Sequence, residues 1–522
     1  MLIFKFGNNV FSGTNAYSVH GTDCPKKISI FLFFAVLFCG GLPADGAETW
    51  LANANKLTLE YRQKLDTLAE WCDEHHLSEE AVKIRRCVPP QEEEKIYIPK
   101  LPTQVQRLPV ADSEAEDEDN QAEDDFDWAA EFWKTRRIYA AKLFVCAKAA
   151  AKQDRGTLAI QMSLAALQAD PDHEKIRKLL GFVPYKNEWR TPWEAEKLKK
   201  GYVDHPRFGW MPEKNVKKYE AGQRLHGQKW ISENEDRYSR RDITKGWVIE
   251  SEHYILRTNH SIEEGVRLSR KLEDLYRAWK LLFYRYMASD EGLASLFEGK
   301  STPKAGRKHQ IIIFRDQDDY IAYFAKEDPF AAKTLGLYNV LQKRCCFFSV
   351  GSDTDRMARE DVDRTLLHEA THQLFSESRR TSEHVAASDN FWIIEGIAMY
   401  MESLRSEGEY YVVGGSDDIR FENAIDEALR EQFYIPLELL VEFGRPHFQK
   451  FPKLQELYAQ SAGLTHFLMH AENGAFRDAA VNYLRLIYDG KDDSTALSVL
   501  TKRPYTDLDK LYLEYLRTKK KQ

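Results

Sequence analysis

Two histidines four residues apart, with an acid after the first, occur in His368-Glu369-Ala370-Thr371-His372, inside an apolar helical pattern running from Thr365 to Phe375. Residues four apart share a helix face, so the two imidazoles are presented to one ion while Glu369 points beside it. Neutral imidazole suits Zn²⁺, and a carboxylate near the open coordination position can take a proton from water held there. Chance at this composition supplies about 0.07 such matches in a chain of this length, so the motif needs context. A second apolar run, Phe391 to Glu402, supplies it, with Glu395 lying 23 residues past His372. A carboxylate from a second helix completes the three protein ligands of a catalytic zinc and leaves one position for water. Glu402, two turns beyond Glu395 on the same face, is placed to accept a hydrogen bond from a liganding imidazole and fix its tautomer. A three-histidine pattern is not met, because Phe375 and Ser378 stand where a Gly and a third His are needed. His384, in a polar connector, reads as a surface residue.

The pair of motifs, His368-Glu-Ala-Thr-His372 followed by Trp392-Ile-Ile-Glu395-Gly-Ile-Ala-Met-Tyr400-Met-Glu402, resembles the gluzincin metallopeptidases, in particular the peptidase MA-like proteins that include the M1 aminopeptidase type. It also resembles a domain-of-unknown-function family of exported bacterial proteins. The resemblance covers residues 246–522 and implies a thermolysin-like catalytic domain, in which a sheet edge holds a peptide substrate and two helices hold zinc through His368, His372 and Glu395. Glu369 is then the general base, and a Tyr or His steadies the oxyanion. Tyr458, 63 residues past Glu395, matches the separation of the oxyanion Tyr in the M1 type, and His466 and His470 are its rivals. No Gly-Ala-Met-Glu-Asn segment precedes the zinc helix, so amino-terminal trimming is not supported. The corresponding stretch, Lys343 to Phe348, is the expected substrate-pairing edge strand.

The elements that must position these residues follow from periodicity. A strand near Trp247–Thr258, an amphipathic helix near Ser261–Met287, a strand at Gln310–Phe314, a helix near Asp318–Ala325 and an apolar run at Cys345–Val350 precede a largely helical remainder. Strands first and helices after is an α+β layout with a small sheet. Upstream, 48–111 reads as an N-terminal helical segment and 112–127 as an acidic linker. Residues 128–245 read as a helical pair followed by a Trp-rich connector. The helical pair, with alanines at helical spacing closed by Asp170-Pro171, resembles a tetratricopeptide unit. In the connector, Lys186-Asn187-Glu188-Trp189-Arg190-Thr191 and Gly227-Gln228-Lys229-Trp230-Ile231-Ser232 look alike, each a polar turn leading into a strand.

Residues 1–47 read as a signal peptide or leader, with Lys26 and Lys27 before an apolar run from Ile28 to Cys39 and small residues up to Ala47. The body of the protein is therefore expected to be exported, with membrane contact only through an uncleaved leader. Cys72 and Cys87 are the expected disulfide, and Cys345 and Cys346 are expected to be buried strand residues. The formal net charge is −8, and the 112–127 stretch alone carries ten acids and no Lys or Arg, which leaves the rest at +2. Such a chain has no field that would steer nucleic acid. The function expected is zinc-dependent hydrolysis of peptide bonds. The alternatives are a catalytically silent binding or scaffold protein on a peptidase fold, and a zinc amidase acting on cell-wall peptides.

Overall fold

A computed structural model describes residues 49–519 except 89, 91, 93, 106–125, 154, 289, 300–305, 326–333 and 351–355. The leader expected at 1–47 and residues 112–125 of the acidic linker lie outside the described residues. Among the described residues no helix is long and apolar enough to cross a membrane. The chain begins with helices α1 (Thr49–Glu74) and α2 (Ser78–Arg85), a strand β1 (Lys95–Pro99), and helices α3 (Trp128–Lys152), α4 (Gly156–Ala169) and α5 (Glu174–Leu179). Ala140, Ala147 and Ala150 of α3 and Ala159 and Ala166 of α4 are fully buried, so small side chains let these two helices lie close. Asp127 caps α3 by accepting from the Ala130 amide.

The expected Cys72–Cys87 disulfide is not formed, and both thiols are free. Cys72 lies five residues before the turn residue Leu77 and Cys87 ten residues after it. Cys72 is fully buried on α1, whereas Cys87 lies past the end of α2 and its Sγ donates to the Lys83 carbonyl oxygen at 3.5 Å.

The Trp-rich connector is three successive hairpin–helix units. They are β2 (Val183–Tyr185) and β3 (Glu188–Arg190) with α6 (Pro192–Lys199); β4 (Tyr202–His205) and β5 (Gly209–Pro212) with α7 (Val216–Glu220); and β6 (Gln223–His226) and β7 (Lys229–Ser232) with α8 (Glu233–Ser239). Trp189, Trp210 and Trp230 occupy the same place in the second strand of each. Each unit follows a glycine with positive φ, namely Gly181, Gly201 and Gly222. The amides of Glu213 and Glu233 donate to the carbonyls of Gly201 and Gly222. The middle copy is hidden in the sequence for two reasons. Its turn holds three residues rather than two, and it lacks the capping boxes that Thr191 and Ser232 form with Glu194 and Glu235.

A five-stranded sheet follows, in the order β11-β12-β10-β9-β8, built from β8 (Trp247–Glu250), β9 (Tyr254–Thr258), β10 (His309–Phe314), β11 (Gly336–Asn339) and β12 (Arg344–Phe348). Helices α9 (Ile262–Leu282), α10 (Tyr284–Met287), α11 (Asp290–Phe297) and α12 (Gln317–Phe324) are interleaved with these strands. The repeat units strap α9 through Asp204–Arg270 and Arg207–Glu263 ion pairs.

β9, β10 and β12 are mutually parallel, and β8 and β11 run antiparallel at the two edges. The Lys343–Phe348 stretch is therefore not the edge strand expected from the sequence; β11 is. The reason is burial on both faces, since Cys345, Cys346, Phe347 and Phe348 are all buried and a strand apolar on both sides belongs inside a sheet. Cys345 and Cys346 are buried strand residues, as expected.

The rest is mainly helical: α13 (Arg356–Glu377), α14 (Phe391–Met401), a hairpin of β13 (Arg405–Glu407) and β14 (Tyr410–Gly414), then α15 (Ile419–Leu429), α16 (Leu437–Leu440), α17 (Arg445–Gln449), α18 (Leu454–Gly474), α19 (Arg477–Asp489), α20 (Ala496–Thr501) and α21 (Tyr505–Lys519). This is the mixed α+β layout the alternation predicts. β1 pairs with β14 in antiparallel register, so the N-terminal segment is sewn into the C-terminal half. One continuous apolar core runs from Trp50 on α1 to Leu516 on α21.

Candidate metal centre

Every residue of α14 from Phe391 to Met401 is buried, which a helix apolar on all sides requires. It lies between α13 and α18. Gly396 allows the close approach to α18, because a Cβ there would meet Thr465 Oγ1 at 2.2 Å and the Ser461 carbonyl oxygen at 2.6 Å. The neighbouring Glu395 is thereby carried to the His368–His372 face of α13.

Nε2 of His368 and Nε2 of His372 are 3.2 Å apart. Oε2 of Glu395 lies 3.4 Å from the first and 3.7 Å from the second. Tetrahedral zinc with ligands at about 2.0–2.1 Å has donor atoms about 3.3 Å from one another, so the triangle has the right size. Glu395 Oε2 is buried, and the groups it faces are the two imidazole nitrogens. These three side chains are the one His/Cys/Asp/Glu group among the described residues whose donor atoms gather this way, all within 4.8 Å. The residues present fit zinc.

Glu402, at the C-terminal end of α14, accepts from Nδ1 of His368 at 2.8 Å. That bond holds a proton on Nδ1, so Nε2 is the nitrogen that faces Glu395 and His372. Burial alone would disfavour a charged His368. The hydrogen bonds to Glu395 and Glu402 outweigh it and push the ring up to about 10. Glu395 is held far below the usual carboxylate range: burial works against this, and the two imidazoles, His372 foremost, overcome it.

Glu369 is half-buried beside the triangle, and its Oε2 accepts the Tyr338 backbone N–H of the edge strand at 2.8 Å. Further along the same face of α13, Glu377 accepts from the Tyr338 hydroxyl at 3.1 Å and from Gln373 Nε2 at 3.0 Å, and it pairs with His309 Nδ1 at 2.8 Å. The helix bearing His368 and His372 thus holds β11 in place beside them.

Tyr458 is buried on α18. Burial, then the carboxylates of Glu395 and Glu369, raise its phenol well above the ordinary range, so it keeps its proton next to the two acids. His466 and His470 are occupied elsewhere. His466 bonds the Tyr515 hydroxyl at 2.9 Å and stacks on Phe421 at 3.7 Å, and His470 bonds the Tyr400 hydroxyl at 2.8 Å.

The sequence singled out His368, Glu369, His372, Glu395 and Glu402, and the fold brings them together. It did not single out Tyr338, on a four-residue strand, or Arg420, whose guanidinium bonds Glu402. No spacing rule marks an arginine 18 residues past the carboxylate it serves. No protein-family model matches the chain, and no curated protein matches it, so the chemistry of the site rests on its own geometry.

Proposed function

We propose that the protein is a zinc-dependent peptidase of gluzincin type, with residues 246–522 as a thermolysin-like catalytic domain and a tetratricopeptide-like helical pair upstream. What carries this reading is a donor triangle of zinc dimensions with a second carboxylate, Glu369, beside it. Zinc bound there supplies a Lewis acid that acidifies water and polarises the scissile carbonyl. His368, His372 and Glu395 hold the ion, and Glu402 keeps His368 in the liganding tautomer. Glu369 takes the proton of the attacking water and returns it to the leaving amine. The Tyr458 phenol keeps its proton and donates a hydrogen bond to the oxyanion. The substrate is a peptide laid as an added strand along β11, an edge strand among the described residues, with Glu369 giving up the Tyr338 amide as the peptide enters; backbone hydrogen bonds give affinity in this mode. The leader reading makes this an exported enzyme.

An intact acid next to the triangle favours catalysis over a silent scaffold, since a structural ion needs no base. The test is zinc stoichiometry together with cleavage of a mixed peptide library by the wild type and Glu369→Gln. One zinc per chain is expected in both, with cleavage reduced about 10²–10⁴-fold in the variant. One zinc with no cleavage by either protein sinks the peptidase reading, and cleavage of cell-wall peptides alone moves it to the amidase alternative.

A further inference from the structure

Arg420 lies in the first turn of α15, where the half-buried Asp418 caps the helix by accepting the Arg420 amide at 3.3 Å. Its guanidinium crosses to the end of α14 and grips Glu402 with two donors, Nε to Oε2 at 2.9 Å and Nη2 to Oε1 at 3.2 Å. Oε1 of Glu402 is also the atom that accepts from His368 Nδ1. The carboxylate is 2% exposed and the arginine 18%. A chain of charge-assisted bonds therefore joins three helices: His368 on α13, Glu402 at the end of α14, and Arg420 on α15. Bidentate Arg–carboxylate pairs fix orientation as well as charge. A carboxylate this deeply buried needs a cation to stay ionised and in place. With its own partner gone, Glu402 would be free to rotate off His368, and the imidazole would lose the bond that aims its Nε2 lone pair at Glu395 and His372.

We infer that Arg420 is a positioning residue for the metal centre, setting zinc affinity through Glu402 without touching the ion. This rests on the zinc reading above. It goes beyond that reading by assigning a role to a residue on a third helix and by predicting that its effect passes through one carboxylate.

The experiment is chelator competition for zinc on the full chain, comparing wild type, Arg420→Met, Arg420→Lys, Glu402→Gln and the Arg420→Met/Glu402→Gln double variant. Thermal unfolding of each metal-free protein runs alongside. Loss of an outer partner of a metal ligand weakens affinity about 10–100-fold, and that is the rise in zinc Kd expected for Arg420→Met and for Glu402→Gln. The double variant is expected to be no weaker than the worse single, because both act on the same bond. Arg420→Lys keeps the charge, loses the fork and falls between; it also keeps the assignment testable if the Met variant does not fold. Zinc bound equally tightly by wild type and Arg420→Met overturns the assignment. So do losses that multiply in the double variant, the signature of a merely structural arginine. A wild type that binds no zinc overturns the metal reading underneath, which is a different result.

Discussion

Two helices in this protein each carry a pair of histidines four residues apart: His368 and His372 on α13, His466 and His470 on α18. The spacing is the same and the chemistry is opposite. Around the first pair stand Glu395, Glu402 and Glu369, and these carboxylates push His368 up to about 10. Around the second stand Tyr515, Tyr400 and the ring of Phe421. Burial, reinforced by the Lys519 ammonium, drives His466 down to about 3. Helical spacing presents two imidazoles together in both places. What the neighbouring helices supply decides whether the pair faces carboxylates or is locked neutral into the core.

The largest effect separating the two pairs should be metal content. Replacing His368, His372 or Glu395 by alanine should take the protein from one zinc per chain to none by mass spectrometry or metal analysis. His466→Gln and His470→Gln should each retain one. Equal loss from both pairs would erase the distinction.

Next in size is Tyr458→Phe, which removes the buried phenol on α18 that the proposed function assigns to the oxyanion. A fall in kcat of about 10²–10³-fold is expected, with zinc content and KM little changed, since an oxyanion donor acts only in the transition state. If His466→Gln or His470→Gln gave that loss instead, the oxyanion role would pass to the histidine pair.

The smallest effect concerns acid stability. A histidine whose folded pKa lies below its unfolded value of about 6.5 adds stability above that pH, and the contribution is lost as pH falls. For His466 the loss begins near pH 6.5 and continues toward its folded pKa of about 3. Between pH 7 and 5 it amounts to about 2 kcal/mol, following about 1.4 kcal/mol per pH unit. Chemical denaturation in chelator at both pH values should show the wild type losing this much more than His466→Gln. His368 has the other sign in the metal-free chain: its raised pKa adds stability that is full below pH 6.5 and disappears as pH climbs toward about 10.

Much of the site was legible because it is carried by two helices with local spacing rules. His368, Glu369 and His372 fall within one turn and a half, and Glu395 and Glu402 share one face of a wholly apolar helix. The edge strand was misplaced because Cys345–Phe348 is the more conspicuous apolar run, and a conspicuous run belongs in the sheet interior. Gly336–Asn339, short and half-exposed, is the strand that ends up open. The threefold hairpin–helix repeat was seen only in its first and third copies, because one extra turn residue and a different helix cap disguised the second. Arg420 left no trace in sequence, since its partner comes from a contact between helix ends that no periodicity encodes. The disulfide expectation failed because closeness across a turn in sequence does not aim two thiols at each other: Cys72 is buried on α1, and Cys87 bonds back to the Lys83 carbonyl.

Gly396 touches no metal and takes no part in bond breaking, yet its missing methyl lets α14 settle against α18 with no room to spare. The distance of Glu395 from the two imidazoles is a by-product of that contact. An alanine in its place would have to shift α14 against α18, and the spacing of Glu395 from His368 and His372 would move with it; under the proposed function that spacing is what an ion would meet. Discrimination by ionic radius, between zinc and larger divalent ions such as manganese or cadmium, would then be written into the seam between two helices rather than into the ligands.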